Sequence, residues 1–165
     1  MPITYEPIAT NTLGSAAASV TFSTISGSYT DLVAVFEGTL TSGSADLILR
    51  FNSDTASNYS STHLFGDGSN PGSSRFSNQT SIKATSYAYL ESTGRNNAII
   101  SIQNYSNATT YKTTIARANN ANQSGTNASV GLWRNTNAIT SITFLATSNN
   151  FATGSNFTLY GIKAA

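Results

Sequence analysis

Few residues in this chain could do acid–base chemistry. There are seven carboxylates, Glu6, Asp31, Glu37, Asp46, Asp54, Asp67 and Glu91, and one histidine, His63. A glycoside hydrolase needs two carboxylates facing one bond at a set separation. Each acid here falls at an expected turn or strand end without a companion at close spacing, so no such pair can be nominated. His63 with Asp67 and a serine matches a Ser-His-Asp site in composition, but serines are so abundant that the match selects nothing. His63 is read instead as a strand histidine.

Binding chemistry is equally sparse. Asp67-Gly-Ser-Asn70 offers oxygen ligands to calcium but lacks the spaced oxygens and closing Glu of a calcium loop, so it reads as a turn. No glycine-rich stretch leads into a helix, which removes a phosphate cradle. The chain has no cysteine, so disulfides and thiolate metal sites are excluded. The expectation is a protein that is not an enzyme, with no catalytic residues, cofactor or metal. Sugar binding by ring stacking would need exposed aromatics. Tyr59, Tyr87, Tyr89, Tyr111, Trp133 and Tyr160 mostly fall on apolar strand faces and read as core. Tyr105, in the turn Asn104 to Thr109, is the candidate glycan contact.

Composition explains this poverty. Charged residues make up 9% of the 165-residue chain and net charge is +1, against about 25% charged residues in an ordinary domain. Ser, Thr and Asn together supply about two-fifths. Basic residues are scattered, leaving no stripe for nucleic-acid phosphates, and no stretch reaches the ~20 apolar residues of a membrane-spanning helix. The opening Met-Pro-Ile-Thr-Tyr-Glu-Pro7 lacks the basic and apolar regions of a secretory signal. Seven Asn-x-Ser/Thr triplets, at Asn58, Asn78, Asn104, Asn107, Asn122, Asn127 and Asn156, are what chance yields at this Asn, Ser and Thr content. Near-zero net charge removes a brake on self-association.

The elements that would position these residues are strands. In Leu47-Ile-Leu-Arg-Phe-Asn-Ser-Asp54 alternate side chains share a face, and the short polar residues after Phe51 end the strand in a turn. The same plan recurs at 20–23, 32–39, 59–65, 81–84, 86–91, 97–103, 111–117, 130–133, 139–145 and 157–162. Ser42-Gly-Ser44 suggests that 32–39 and 47–52 form a hairpin, as do 97–103 and 111–117. Residues 66–74 and 118–127 read as surface loops. No segment keeps a 3.6-residue period. About ten short strands imply an all-β, antiparallel β-sandwich, jelly-roll-like. Residues 1–14, in which Pro2 and Pro7 bracket Ile3 and Tyr5, form an extended N-terminal arm, either an edge strand or a strap. Ile3, Tyr5 and Ile8 are its candidate partner-binding residues. Residues 15–165 form a single domain.

Three segments, Tyr5-Glu-Pro-Ile-Ala-Thr-Asn-Thr-Leu-Gly-Ser15, Leu49-Arg-Phe-Asn-Ser-Asp-Thr-Ala-Ser-Asn-Tyr-Ser60, and Gly131-Leu-Trp133 with Ile139-Thr-Ser-Ile-Thr143 and Leu159-Tyr-Gly-Ile-Lys163, resemble small virion-associated proteins of tailed bacteriophages, including phages of cyanobacteria. The resemblance implies a non-enzymatic structural protein on the outer surface of the virion. That is a capsid decoration (cement) protein bound to the major capsid protein, or a component of a tail or head fibre. It also implies a homo-oligomer, commonly a trimer, whose arm reaches a neighbour or the shell. The alternative is a receptor-binding module recognising a host surface glycan through its loops.

Overall fold

The computed structural model describes residues 4–87 and 90–163. Among these residues there is no helix and there are fourteen strands: β1 (Tyr5–Thr12), β2 (Ser19–Phe22), β3 (Asp31–Gly38), β4 (Ser44–Ala45), β5 (Leu47–Phe51), β6 (Tyr59–Gly66), β7 (Pro71–Gln79), β8 (Ile82–Lys83), β9 (Leu90–Glu91), β10 (Asn96–Gln103), β11 (Lys112–Asn120), β12 (Thr126–Trp133), β13 (Ile142–Ala146) and β14 (Asn156–Ile162). An eight-stranded sheet runs β1-β14-β3-β10-β11-β12-β6-β7, a four-stranded sheet runs β2-β13-β5-β8, and β4 pairs with β9. The strand pairs are antiparallel, and the chain passes repeatedly from one sheet to the other, as the expected sandwich requires.

Facing aromatic residues join the two sheets. Phe144 on β13 lies 6.1 Å from Phe22 on β2 and 5.5 Å from Phe157 on β14 (centroid distances). Phe51 on β5 lies 5.5 Å from Trp133 on β12, which stacks on Tyr59 of β6 at 6.1 Å. All of these rings except that of Phe22 (6% exposed) are 1% exposed or less. Burying each contributes about 2–3 kcal/mol, and near-perpendicular or offset pairs such as Phe22–Phe144 add more.

The turn after β5 closes over this aromatic cluster. Asn52 and Ser53 adopt positive φ, 52° and 57°, and the Asn52 side chain is fixed by accepting from Thr140 and Ser141 N–H (2.8 and 3.1 Å) and donating to Ala138 O (2.8 Å). Asp54 then accepts from Ala56 N–H (2.8 Å), Asn58 Nδ2 (2.8 Å) and the indole Nε1 of Trp133 (2.7 Å).

Three sequence expectations need correction. The strands at 32–39 and 47–52 are not a hairpin: β3 lies between β14 and β10 in the large sheet, while β5 lies between β13 and β8 in the small one. The turn at Ser42-Gly-Ser44 redirects the chain across the sandwich instead of folding it back. The expected loop 66–74 is a tight hairpin, in which Asp67 Oδ1 accepts from Ser69 N–H and Asn70 N–H at 2.7 and 2.6 Å and Pro71 opens β7. Half of 118–127 is strand, because Asn119 pairs with Thr126 and only the five-residue link 121–125 between β11 and β12 is left as loop.

The arm, finally, is an edge strand from Tyr5 onward, paired with β14. Ile8 sits in a register shift between Pro7 and Ala9, where the missing proline N–H interrupts the ladder, and it packs against the core. Ile3 lies outside the described residues.

Candidate functional site

Alternation along the large sheet sends one set of side chains into the sandwich and the other outward. The inward set on β11 is Lys112, Thr114, Ala116, Ala118 and Asn120, buried throughout, and the outward set is Thr113, Ile115, Arg117 and Asn119. This strand is inverted relative to an ordinary amphipathic one. In its middle, at Thr114 and Ala116, the inward side is small, and there Ile82 of β8 packs close. A Cβ added to Gly131, beside Thr114, would approach Ile82 and Thr114 side-chain atoms to 2.5 Å. The ammonium of Lys112 escapes the core by donating to the carbonyls of Thr110 (2.6 Å) and Thr136 (3.0 Å).

The outward face therefore carries the apolar excess. The exposed large hydrophobic residues are Tyr5, Leu64, Tyr111, Ile115 and Val130, between 51% and 64% exposed. Leu64, Ile115 and Val130 point outward from the neighbouring strands β6, β11 and β12, Tyr5 lies on the far edge strand β1, and Tyr111 lies just before β11. Ile115 and Val130 are direct cross-strand neighbours, and Leu64 shares a row with Ala128, Arg117 and Ile99. Contiguous exposed apolar surface of this kind marks an interaction site. The outward side of the four-stranded sheet is different, for there Thr21 and Thr143 pair their hydroxyls at 3.0 Å.

Charges on the face are divided. Asp31 and Glu37 lie on β3, where Asp31 accepts from Asn104 N–H at 2.6 Å and Glu37 meets Arg95 at 3.4 Å. Arg117 and Arg75 lie on β11 and β7, towards the other edge.

The residues singled out for chemistry are dispersed. Asp46 binds Lys83 at 2.6 Å and burial pushes its carboxyl up. Glu6 binds Lys163 at 2.8 Å, which holds it low. Glu91 accepts from Gln123. Burial raises Asp54, but hydrogen bonds from Asn58, Ala56, Trp133 and Asn135 outweigh it and hold the carboxyl below the usual range. The turn N–H groups of Asn70 and Ser69 hold Asp67 low. Its carboxylate is thus committed to its own hairpin and does not form a triad with His63.

His63 is fully buried beneath β8, edge-on to Phe76 at 5.5 Å, with Nδ1 3.3 Å from Asn127 Nδ2. Burial and the nearby Lys83 push its pKa down to about 4 against the opposing Asn127 contact, so the ring is neutral at pH 7. Its Nε2, the hydroxyl of its cross-strand partner Ser74 and Asn127 Oδ1 lack protein partners. Such a cluster accommodates buried water. Among the described residues no group of three His, Cys, Asp or Glu side chains is placed to hold a metal ion.

Tyr105 corrects the glycan-contact expectation. It is fully buried and its hydroxyl donates to Ser26 O and receives Tyr29 N–H at 3.4 Å. Ile139 N–H bonds its carbonyl at 2.8 Å. The ring plugs the domain beneath the turn and offers no face to a sugar. Sequence reading missed Leu64, Ile115 and Val130. The available signal was the pairing of bulky outward residues with Ala, Gly and Ser inward on adjacent strands.

No protein-family model matches the chain, and no curated protein matches it. Among solved structures, a marine alginate lyase from Aplysia kurodai is 11% identical, with 84% of this chain and 70% of that one covered and a TM-score of 0.34. Domains LG4-5 of the mouse laminin alpha1 chain are 13% identical over 91% of this chain and 40% of that one, with a TM-score of 0.34. The alginate lyase Aly36B, bound to an alginate trisaccharide, is 7% identical over 93% and 80%, with a TM-score of 0.35. Similarity this slight transfers none of those activities to the present chain.

Proposed function

We propose that this chain is a non-enzymatic structural protein of a tailed-bacteriophage particle, a decoration (cement) protein on the outside of the head that self-associates and contacts the major capsid protein. The observation that carries the reading is the gathering of the exposed Leu64, Ile115 and Val130 on one uncovered sheet face. A surface of this type is built to be covered by protein. The sequence resemblance in the segments around Tyr5, Leu49 and Gly131 supports the virion setting. A sparsely charged Ser/Thr/Asn-rich exterior suits a protein displayed in many copies. Copy counting by mass spectrometry in purified virions, relative to the major capsid protein, tests it. Hundreds of copies are expected. A handful of copies would transfer the reading to a fibre or other appendage, and absence from particles would overturn it.

A further inference from the structure

Resting on that reading of the exposed face, we infer that its occupant is a second copy of this chain, related by a two-fold axis running along the strands between β11 and β12. The register of the sheet makes the face self-complementary about that line. The rotation exchanges β11 with β12, β10 with β6 and β3 with β7, an exchange fixed by strand order alone. Ile115 and Val130 share one row, so each lies opposite the other residue of the second copy. Ile99 and Leu64 share the next row through Arg117 and Ala128, so they too meet across the interface. A two-fold interface needs this reciprocity, with residue i touching j and j touching i.

Charge follows the same exchange. Arg75 shares the Ile115 row and falls opposite Val33 of the second copy, one pleat from Asp31. The axis thereby sets the basic edge of each copy over the acidic strand of the other. The overlapping strands run from β3 to β7 in the sheet order, six in all. At about 4.8 Å between strands and roughly 26 Å of strand length, they cover roughly 750 Å² on each copy, about 1,500 Å² in total, the size of a standard specific interface. One term opposes association: the two Arg117 side chains approach each other beside the axis.

Sedimentation of the purified full chain from micromolar to near-millimolar concentration tests this. A dimer is expected, lost in Ile115→Lys and Val130→Lys while their unfolding midpoints stay near that of the parent, since both positions are exposed in the monomer. Arg75→Glu should weaken the dimer about tenfold, and Arg117→Ser should tighten it. Because the chain has no cysteine, preparations carrying Ile115→Cys and Val130→Cys should be joined to each other by a short bis-maleimide. A chain monomeric throughout, a dimer indifferent to Ile115→Lys, or a trimer would each overturn the inference. A monomer abundant on virions would leave the virion role standing and remove self-association from it. A dimer absent from virions would do the reverse.

Discussion

Replacing Asp54 by alanine tests whether one turn carboxylate anchors the aromatic cluster. The indole N–H of Trp133 is buried and donates to Asp54 Oδ2 at 2.7 Å. Its loss leaves a buried donor without an acceptor, at about 2 kcal/mol, and water only partly replaces the two turn bonds to Ala56 and Asn58, at about 0.5 kcal/mol each. The total is about 3 kcal/mol. For a chain of this length that lowers the melting temperature by about 6–12 °C. Trp133 is the only tryptophan, so urea unfolding followed by its fluorescence reports on the site itself. A double-mutant cycle with Trp133→Phe, followed by circular dichroism, isolates the pair, and the expected coupling is about 1.5–2 kcal/mol. The pH dependence has a definite sign. The folded Asp54 carboxyl is held low, so its contribution is complete above the unfolded pKa of about 3.9 and disappears as pH falls through the folded value. The Asp54→Ala deficit should therefore shrink in acid. A cost below about 0.5 kcal/mol, against the 1.5–3 typical of a hydrogen bond to a charged group, or a coupling near zero, would refute the anchoring role.

Other consequences can be measured alongside. His63 titrates near pH 4 in the fold and near 6.5 unfolded, so stability should be full above about pH 6.5 and fall by about 3 kcal/mol on descending to pH 4. His63→Asn should flatten that slope in pH-dependent urea melts. Gly131→Ala should cost about 1–3 kcal/mol, because its Cβ meets Ile82 and Thr114 at 2.5 Å; a neutral result in thermal melts would contradict the tight packing beneath β8. Deleting the chain through Thr12 should uncover the β14 edge and produce concentration-dependent light scattering, whereas a soluble protein of parental stability would mean that β1 is a dispensable strap. Tyr105→Phe should cost about 1–2 kcal/mol by leaving the Ser26 carbonyl and Tyr29 N–H without their partner.

The sandwich is legible in the chain wherever a strand has one apolar face, as in Ala98, Ile100 and Ile102 of β10. Strand β7 is not, because Pro71-Gly-Ser-Ser-Arg-Phe-Ser carries a single large apolar residue; it becomes a strand because β6 offers it a ladder. Alternation also states which residues share a face without stating which face is inside. For β11 the usual inference from bulk would put Ile115 in the core and Lys112 in solvent. The opposite holds, since Ile82 fills the space and backbone carbonyls receive the ammonium. The candidate face was hidden by that inversion. Tyr105 was misplaced for a related reason: an aromatic ring in a turn can face out or plug the domain beneath, and only the distant partners Ser26 and Tyr29 decide.

The pairing of β1 with β14 has a consequence for how the molecule is made. Asn156 donates to the Thr12 hydroxyl from 144 residues away, and β3 also waits for β10 and β14. At about 5–20 residues per second, a ribosome needs roughly 7–30 s between releasing these partners. Until β10 emerges the apolar strand around Leu32 to Phe36 has no neighbour on either side, and until β14 emerges it has only one. Sheets closed by such distant pairings fold in milliseconds to seconds rather than microseconds, so newly made chains present the strand to chaperones, or to one another, before the last strand arrives.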